Sequence, residues 1–150
     1  MYLKYFWYVV EHKWNVFIEH LKISQPISGI THDLSKFLPS EFFPYARFFH
    51  DKKRSKNYKK SDEVDINFQT GWCYHQKRNK HHWNYWVSVT TKDMVIPIPM
   101  PSKYVMQMIA DWRGMSRKFG GKTSEYYIKN KDDMILHQKT VEIIEYVLDI

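Results

Sequence analysis

The stretch YLKYFWYVVEHKWNVFIEHLK, residues 2–22, decides the fold class, because its apolar residues recur at intervals of three and four. That spacing predicts an α-helix with one wide buried stripe. The stripe comprises Leu3, Phe6, Trp7, Val10, Trp14, Phe17, Ile18 and Leu21. A second, narrower face carries Tyr5, Val9, His12 and Val16. We therefore expect this helix to be buried on two sides.

Apolar periodicity and helix-terminating residues predict five further helices downstream. Residues 87–101 hold three prolines and several β-branched residues, so we expect an extended connection there. Residues 50–60 (HDKKRSKNYKK) predict a charged loop. The first of these is a short helix that starts at the signal Ser24 and Pro26 and contains residues 30–37. The others are residues 39–49; about 62–77; 102–120, with Ser102 as the cap; and about 132–148. These elements predict an all-α fold with a single domain over residues 1–150.

Composition is that of a globular chain: 43% of the 150 residues are hydrophobic and 17% are aromatic, which excludes disorder throughout. The single cysteine, Cys73, excludes an internal disulfide and a cysteine-rich zinc site, and fits a reducing cytoplasm. Charged residues interrupt the N-terminal segment early, and no run of eighteen apolar residues occurs. We therefore expect a cytoplasmic protein without a membrane partner. Excess aromatic surface leaves both a monomer and a homodimer open.

The balance of charge is basic, with 23 basic and 16 acidic residues and a net charge of +7. A protein of this charge favours anionic partners, which include nucleic acids and small phosphate-containing molecules. Charge alone does not separate these classes.

Histidines and aspartates form an ordered series of nitrogen and oxygen donors that suits a metal ion. The His-Asp dipeptide occurs twice, at residues 32–33 and 50–51. The first follows small and apolar residues and should lie in a short helix at the edge of the core, whereas the second runs into three basic residues. We therefore expect the site at residues 32–33. The donor series comprises His12, His32, Asp33, His75, His81, His82 and Asp111.

The spacing of His75 and His82 requires a break in their helix. Along one unbroken helix, seven residues separate the two by about 10.5 Å, too far for both to bind one ion. Asn79 is the expected terminator, and its break would let His75 approach His81 or His82.

In order and context this series resembles the HD superfamily of metal-dependent phosphohydrolases. His12 lies in a His-Lys-x-x-Val segment, HDLSKF at residues 32–37 resembles the His-Asp-x-x-Lys motif, and Asp111 resembles the closing aspartate. More narrowly, nearly the whole chain resembles an uncharacterised family of small bacterial and viral proteins near this superfamily, through HDLSKF, RNKHHW at residues 78–83 and the Met-rich helix with Asp111.

The resemblance implies an HD-like helical bundle with a metal site between helices, which hydrolyses a nucleotide or another small phosphate ester with metal-activated water. It implies His12, His32, Asp33 and Asp111 as ligands of one divalent cation, and His75 and His82 as ligands of a second. Mn, Fe, Zn, Co and Ni all suit this donor set, with one or two ions per chain. Asp33 and Lys36 would be the catalytic residues. The substrate phosphate would be bound by Lys36, Arg78, Lys80 and His81.

Two other functions remain open at this point. The lysine-rich loop and the aromatics between Trp72 and Trp86 would also suit a basic nucleic-acid-binding module without catalysis. Alternatively, six nitrogen and oxygen ligands would suit a di-iron oxygenase related to the same superfamily.

Overall fold

Two long helices form the centre of the computed structural model, which describes residues 1–50 and 65–150. Helix α1 (Tyr2–Lys22) packs against α5 (Ser102–Phe119), and the shorter helices surround this pair. The other described helices are α2 (Pro26–Thr31), α3 (Pro39–His50), α4 (Ile66–Arg78), α6 (Thr123–Asn130) and α7 (Gln138–Leu148). Within these ranges the only strands are β1 (Val87–Val89) and β2 (Val95–Pro97), an antiparallel hairpin in which Val87 pairs with Pro97. The all-α prediction is confirmed.

The core lies in two parts, one on each side of the α1–α5 pair. On one side, α1 packs Tyr5 and Val9 against Tyr45 and Ala46 of α3. On the other, α5 packs against Tyr127 of α6 and Ile144 of α7. None of the described helices is both long and apolar enough to cross a bilayer.

Helices α1 and α5 approach closely because α5 has Gly114 at the crossing. A Cβ atom at Gly114 would lie 2.5 Å from Cγ2 of Val16 and 3.0 Å from the Val16 backbone nitrogen. The absent side chain therefore brings the two backbones together.

Most of the wide apolar stripe of α1 is exposed, contrary to the expectation that it is buried, and only Val10, Phe17 and Ile18 are half-buried. Leu3, Trp7, Trp14 and Leu21 are 50–69% exposed. The residues of the narrower face are buried instead: Tyr5, Val9, His12 and Val16. The prediction failed because periodicity shows that an apolar face exists but does not show what covers it.

Several element boundaries differ from those expected. The expected helix 30–37 is α2 followed by a separate 3-10 turn, Leu34–Phe37, with His32 and Asp33 between them. Residues 132–148 hold a 3-10 turn and then α7, which begins only at Gln138, while α6 was missed. Ser102 lies inside α5 and makes no side-chain cap.

The remaining differences concern the connections. Residues 87–101 are extended as expected, but they fold back as the β1–β2 hairpin. Helix α4 begins at Ile66, where Asp65 Oδ1 accepts a hydrogen bond from the Phe68 backbone nitrogen at 3.1 Å. His50 ends α3, and the rest of the expected charged loop, with Asp51 of the second His-Asp pair, lies outside the described residues.

Candidate metal centre

The α1–α5 crossing brings His12 and Asp111 together from opposite parts of the chain. His12 lies on the buried face of α1, and Asp111 lies three residues before Gly114 on α5. His12 Nε2 is 3.3 Å from Asp111 Oδ1. The small residue at the crossing thus sets the distance between these two side chains.

His32 and Asp33 reach the same point from the break between α2 and the 3-10 turn. His32 has an extended backbone, and Asp33 has a left-handed backbone with φ 53°. His32 Nε2 then lies 3.3 Å from Asp33 Oδ2 and 3.5 Å from Asp111 Oδ1. The Lys13 ammonium donates to the carbonyl oxygens of Ile30 and His32 and ties this break to α1.

A second group of imidazoles faces the other oxygen of the same carboxylate. Nε2 of His75 is 3.4 Å and Nε2 of His81 is 3.3 Å from Asp33 Oδ1. His82 Nε2 is 2.8 Å from His75 Nε2. The approach is possible because α4 ends at Arg78 and Asn79 is extended, which confirms the expected helix break.

The donor atoms form two groups joined by Asp33. The first group contains His12, His32 and Asp111, whose donor atoms, one from each residue, all lie within 4.8 Å of one another. In the second, donor atoms of Asp33, His75, His81 and His82 lie within the same distance. Asp33 faces the first group with Oδ2 and the second with Oδ1. His81 thus lies among the donors, although the sequence assigned it to substrate.

Four of these donor atoms are buried and have no hydrogen-bond partner: His32 Nε2, Asp33 Oδ1, His81 Nε2 and Asp111 Oδ1. A buried polar atom without a partner costs about 1–3 kcal/mol, so four in one cluster need an explanation. Imidazole nitrogens and carboxylate oxygens are ligands for divalent transition metals. The donor set therefore fits one or two metal ions.

Burial and neighbouring charges set the protonation states of the cluster. Burial opposes charge on His32, but Asp33 and Asp111 outweigh it and raise the pKa of His32 to about 9. Burial also opposes charge on both aspartates, yet the adjacent His32 dominates and lowers both carboxyl pKa values. Burial lowers the pKa of His12, His81 and His82, which favours their neutral, ligating form.

Lys36 lies beside Asp33. Its Nζ is 2.7 Å from Asp33 Oδ2, and this pairing raises the Lys36 pKa although burial opposes the charge. Lys36 also lines a cavity of about 810 Å³ together with His12, His75, His82 and Asp111. Lys36 therefore places a positive charge in the cavity through which an anionic substrate would reach the donor groups.

The other residues expected to bind substrate line a second cavity. Arg78, Lys80 and His81 line a smaller cavity of about 320 Å³, which also contacts His32. Arg78 Nη1 donates to Glu41 Oε1 at 2.7 Å and to Ser40 Oγ at 2.9 Å. Arg78 and Lys80 are therefore separated from Lys36, whereas His81 and Lys36 both contact Asp33.

Sequence reasoning missed Glu41, which is fully buried beneath the second group. His75 Nδ1 donates to Glu41 Oε2 at 2.8 Å, and Ser35 Oγ donates to the same oxygen at 2.9 Å. The bond fixes the proton on Nδ1 and leaves Nε2 of His75 free to ligate. Its position inside an aromatic helix was the available signal, because a carboxylate there needs a buried partner.

His20 lies beside the centre but outside both groups of donors. It is buried, its Nδ1 lies 2.9 Å from the Val16 carbonyl oxygen, and its ring lies 5.5 Å from that of His32. His137 caps α7 by accepting a hydrogen bond from the Lys139 backbone nitrogen.

Comparison with known proteins identifies a family without an assigned activity. The model of a family of unknown function (DUF5662) matches residues 1–150. No curated protein and no solved structure matches the chain significantly.

Proposed function

The chain belongs to the DUF5662 family of unknown function, and on that premise we propose from the site geometry that it is a metal-dependent phosphohydrolase of small phosphate esters. The observation that carries this proposal is the buried cluster of imidazole and carboxylate donors in two groups joined by Asp33, in which four donor atoms have no hydrogen-bond partner. The resemblance to the HD superfamily supports the same reaction class.

The first ion would be held by His12, His32, Asp111 and Asp33 Oδ2. The second would be held by Asp33 Oδ1 with His75, His81 and His82. A bound transition-metal ion lowers the pKa of water and polarises a phosphoryl oxygen. The chain's own residues then hold this donor set rigid and bring the substrate to it.

The cavity walls suit an anionic ester with an apolar or planar group. Lys36 is the cation nearest the centre, so we assign it to the substrate phosphate. Lys122 and Lys129 lie at other points of the wall. Aromatic side chains cover much of the rest and offer surfaces on which a nucleotide base would stack. They include Tyr8, Trp72, Trp83, Trp112 and Tyr126.

The test is a phosphate-release screen over nucleotides and simpler phosphate esters. Purified protein is analysed for metal per chain, stripped with chelator, and assayed after addition of Mn, Fe, Zn, Co or Ni. We expect release that requires metal and is lost in Asp33→Ala, because that change removes the carboxylate shared by both groups. The matched control is Asp132→Ala, which removes an exposed carboxylate of the 3-10 turn Lys131–Asp133.

Three outcomes would contradict the proposal. Full activity of metal-free Asp33→Ala would exclude the metal centre from the reaction. Oxygen consumption without phosphate release would point to di-iron oxygenase chemistry on the same ligands. Salt-sensitive nucleic-acid binding that ignores alanine at His32 and Asp33, without phosphate release, would point to a binding module.

A further inference from the structure

The outward face of α1 has an apolar stripe that is largely exposed, although Val10 and Phe17 are half-buried and Phe17 lies against Gly29 of α2. Its six residues are spaced 4, 3, 4, 3 and 4 apart, which is the heptad spacing of a helix that packs against another helix. Trp7 and Trp14 are 60% and 61% exposed. At 3.6 residues per turn, the stripe lies about 180° around α1 from His12. The six residues are Leu3, Trp7, Val10, Trp14, Phe17 and Leu21.

The apolar surface continues from α1 onto the neighbouring break. Lys13 lies beside Trp14 and binds the carbonyl oxygen of Ile30, so the end of α2 lies alongside the stripe. Ile30 and Leu34 are 60% and 50% exposed. Together with Leu3, Trp7, Trp14 and Leu21, these side chains expose roughly 700 Å² per copy, at about 200 Å² for a large apolar residue. A pairing that buries most of this surface would approach the roughly 800 Å² per partner of a standard stable interface.

We propose that this face is a homodimer interface in which α1 pairs antiparallel with α1 of a second copy. The spacing is the same when read in either direction, so residues whose numbers sum to 24 face each other across a two-fold axis. Leu3 then meets Leu21, Trp7 meets Phe17, and Val10 meets Trp14. Each tryptophan faces a smaller side chain.

A parallel pairing would place each tryptophan opposite its own copy. Packed helices are generally 8–10 Å apart. In the parallel pairing Trp7 would face Trp7 and Trp14 would face Trp14, and these pairs of indole rings would force the helices further apart. A lipid surface is the alternative occupant of this face, and the vesicle test below distinguishes it from a second copy.

Sedimentation velocity across a dilution series of the full chain tests the dimer. We expect wild-type protein to dissociate on dilution, and Trp7→Glu and Trp14→Glu each to raise the dimer Kd roughly thirtyfold or more, as for central aromatic residues of interfaces. Tyr146→Glu is the matched control, because Tyr146 is 86% exposed on α7 and should leave Kd unchanged. Metal content and circular dichroism should be the same in all four proteins, since these side chains are exposed.

Cysteine crosslinking in a Cys73→Ser background tests the orientation. The antiparallel arrangement predicts a covalent dimer from Leu3→Cys combined with Leu21→Cys, and none from Leu3→Cys alone, because the two copies of residue 3 would be about 27 Å apart. A crosslink from Leu3→Cys alone would overturn the antiparallel pairing. A wild-type monomer at every concentration would overturn the interface, as would binding of the monomer to phosphatidylcholine vesicles that Trp14→Glu abolishes.

Discussion

Asp33 serves both groups of the candidate centre because its backbone leaves the helical conformation. A residue other than glycine rarely adopts a left-handed φ, and the cost is about 1 kcal/mol or more. In exchange, one carboxylate faces imidazoles on two sides: Oδ2 lies near His12 and His32, and Oδ1 near His75 and His81. A helical His-Asp pair would not place both side chains in this way.

Glu41 should control the second group through His75. Glu41→Gln removes the buried charge that fixes the His75 proton, so the affinity of the second ion should fall by about 10–100-fold. The first ion, on His12, His32 and Asp111, should keep its affinity. Calorimetric metal titration measures both, with the exposed Glu142→Gln as control. Equal weakening of both ions would show a general loss of structure instead.

Metal binding should release a proton from His32. Its pKa in the metal-free protein is raised to about 9, so at pH 7 the imidazole is protonated and must lose that proton to ligate. Apparent affinity should therefore rise about tenfold per pH unit from pH 7 towards 9 and level off above it. Calorimetry in buffers of different ionisation enthalpy counts the protons. Binding at pH 7 with no proton released would contradict the assignment of His32.

At the scale of elements, the distance between α1 and α5 positions the first group. Alanine is ordinarily favoured over glycine within a helix by about 1 kcal/mol. At Gly114, however, the added Cβ would meet the backbone of α1 as well as the Val16 side chain. Backbone atoms cannot rotate away, so the steric cost should exceed the helical gain.

Gly114→Ala should therefore destabilise the protein by about 1–3 kcal/mol, within the usual cost of overpacking. It should also weaken the first ion, because His12 and Asp111 would move apart. Thermal and urea unfolding give the stability, and metal titration gives the affinity. If Gly114→Ala instead stabilised the protein by about 1 kcal/mol, the usual gain from replacing glycine by alanine in a helix, α1 and α5 would not be in contact at this point.

At the scale of the whole molecule, the centre joins α1, α4, α5 and the two breaks, so metal should stabilise the entire fold. Free metal at a hundredfold excess over its Kd adds about 2.7 kcal/mol for one site. Chelation should then lower Tm by roughly 5–10 °C for a domain of this size. Differential scanning calorimetry with and without chelator measures the shift, and Asp33→Ala should show none. A Tm independent of chelator in metal-loaded wild-type protein would contradict the fit of the donor set to metal.

The sequence by itself determined the helical class, the extent of α1, the end of α4 at Asn79 and the donors that the structure brings together. These features are local: apolar periodicity, terminator residues and residue chemistry act over a few neighbours in the chain.

Only the tertiary structure decided which face of α1 is buried, that His81 and His82 both join His75, and that Glu41 supports His75. It also separated Arg78 and Lys80 from Lys36. Each of these depends on contacts between residues far apart in the chain. The free energy of such a contact cannot be predicted from the spacing of neighbouring residues. The two apolar faces of α1 show this most directly. Periodicity predicts both faces, but only the face with Val16 is buried, because it contacts α5 at Gly114.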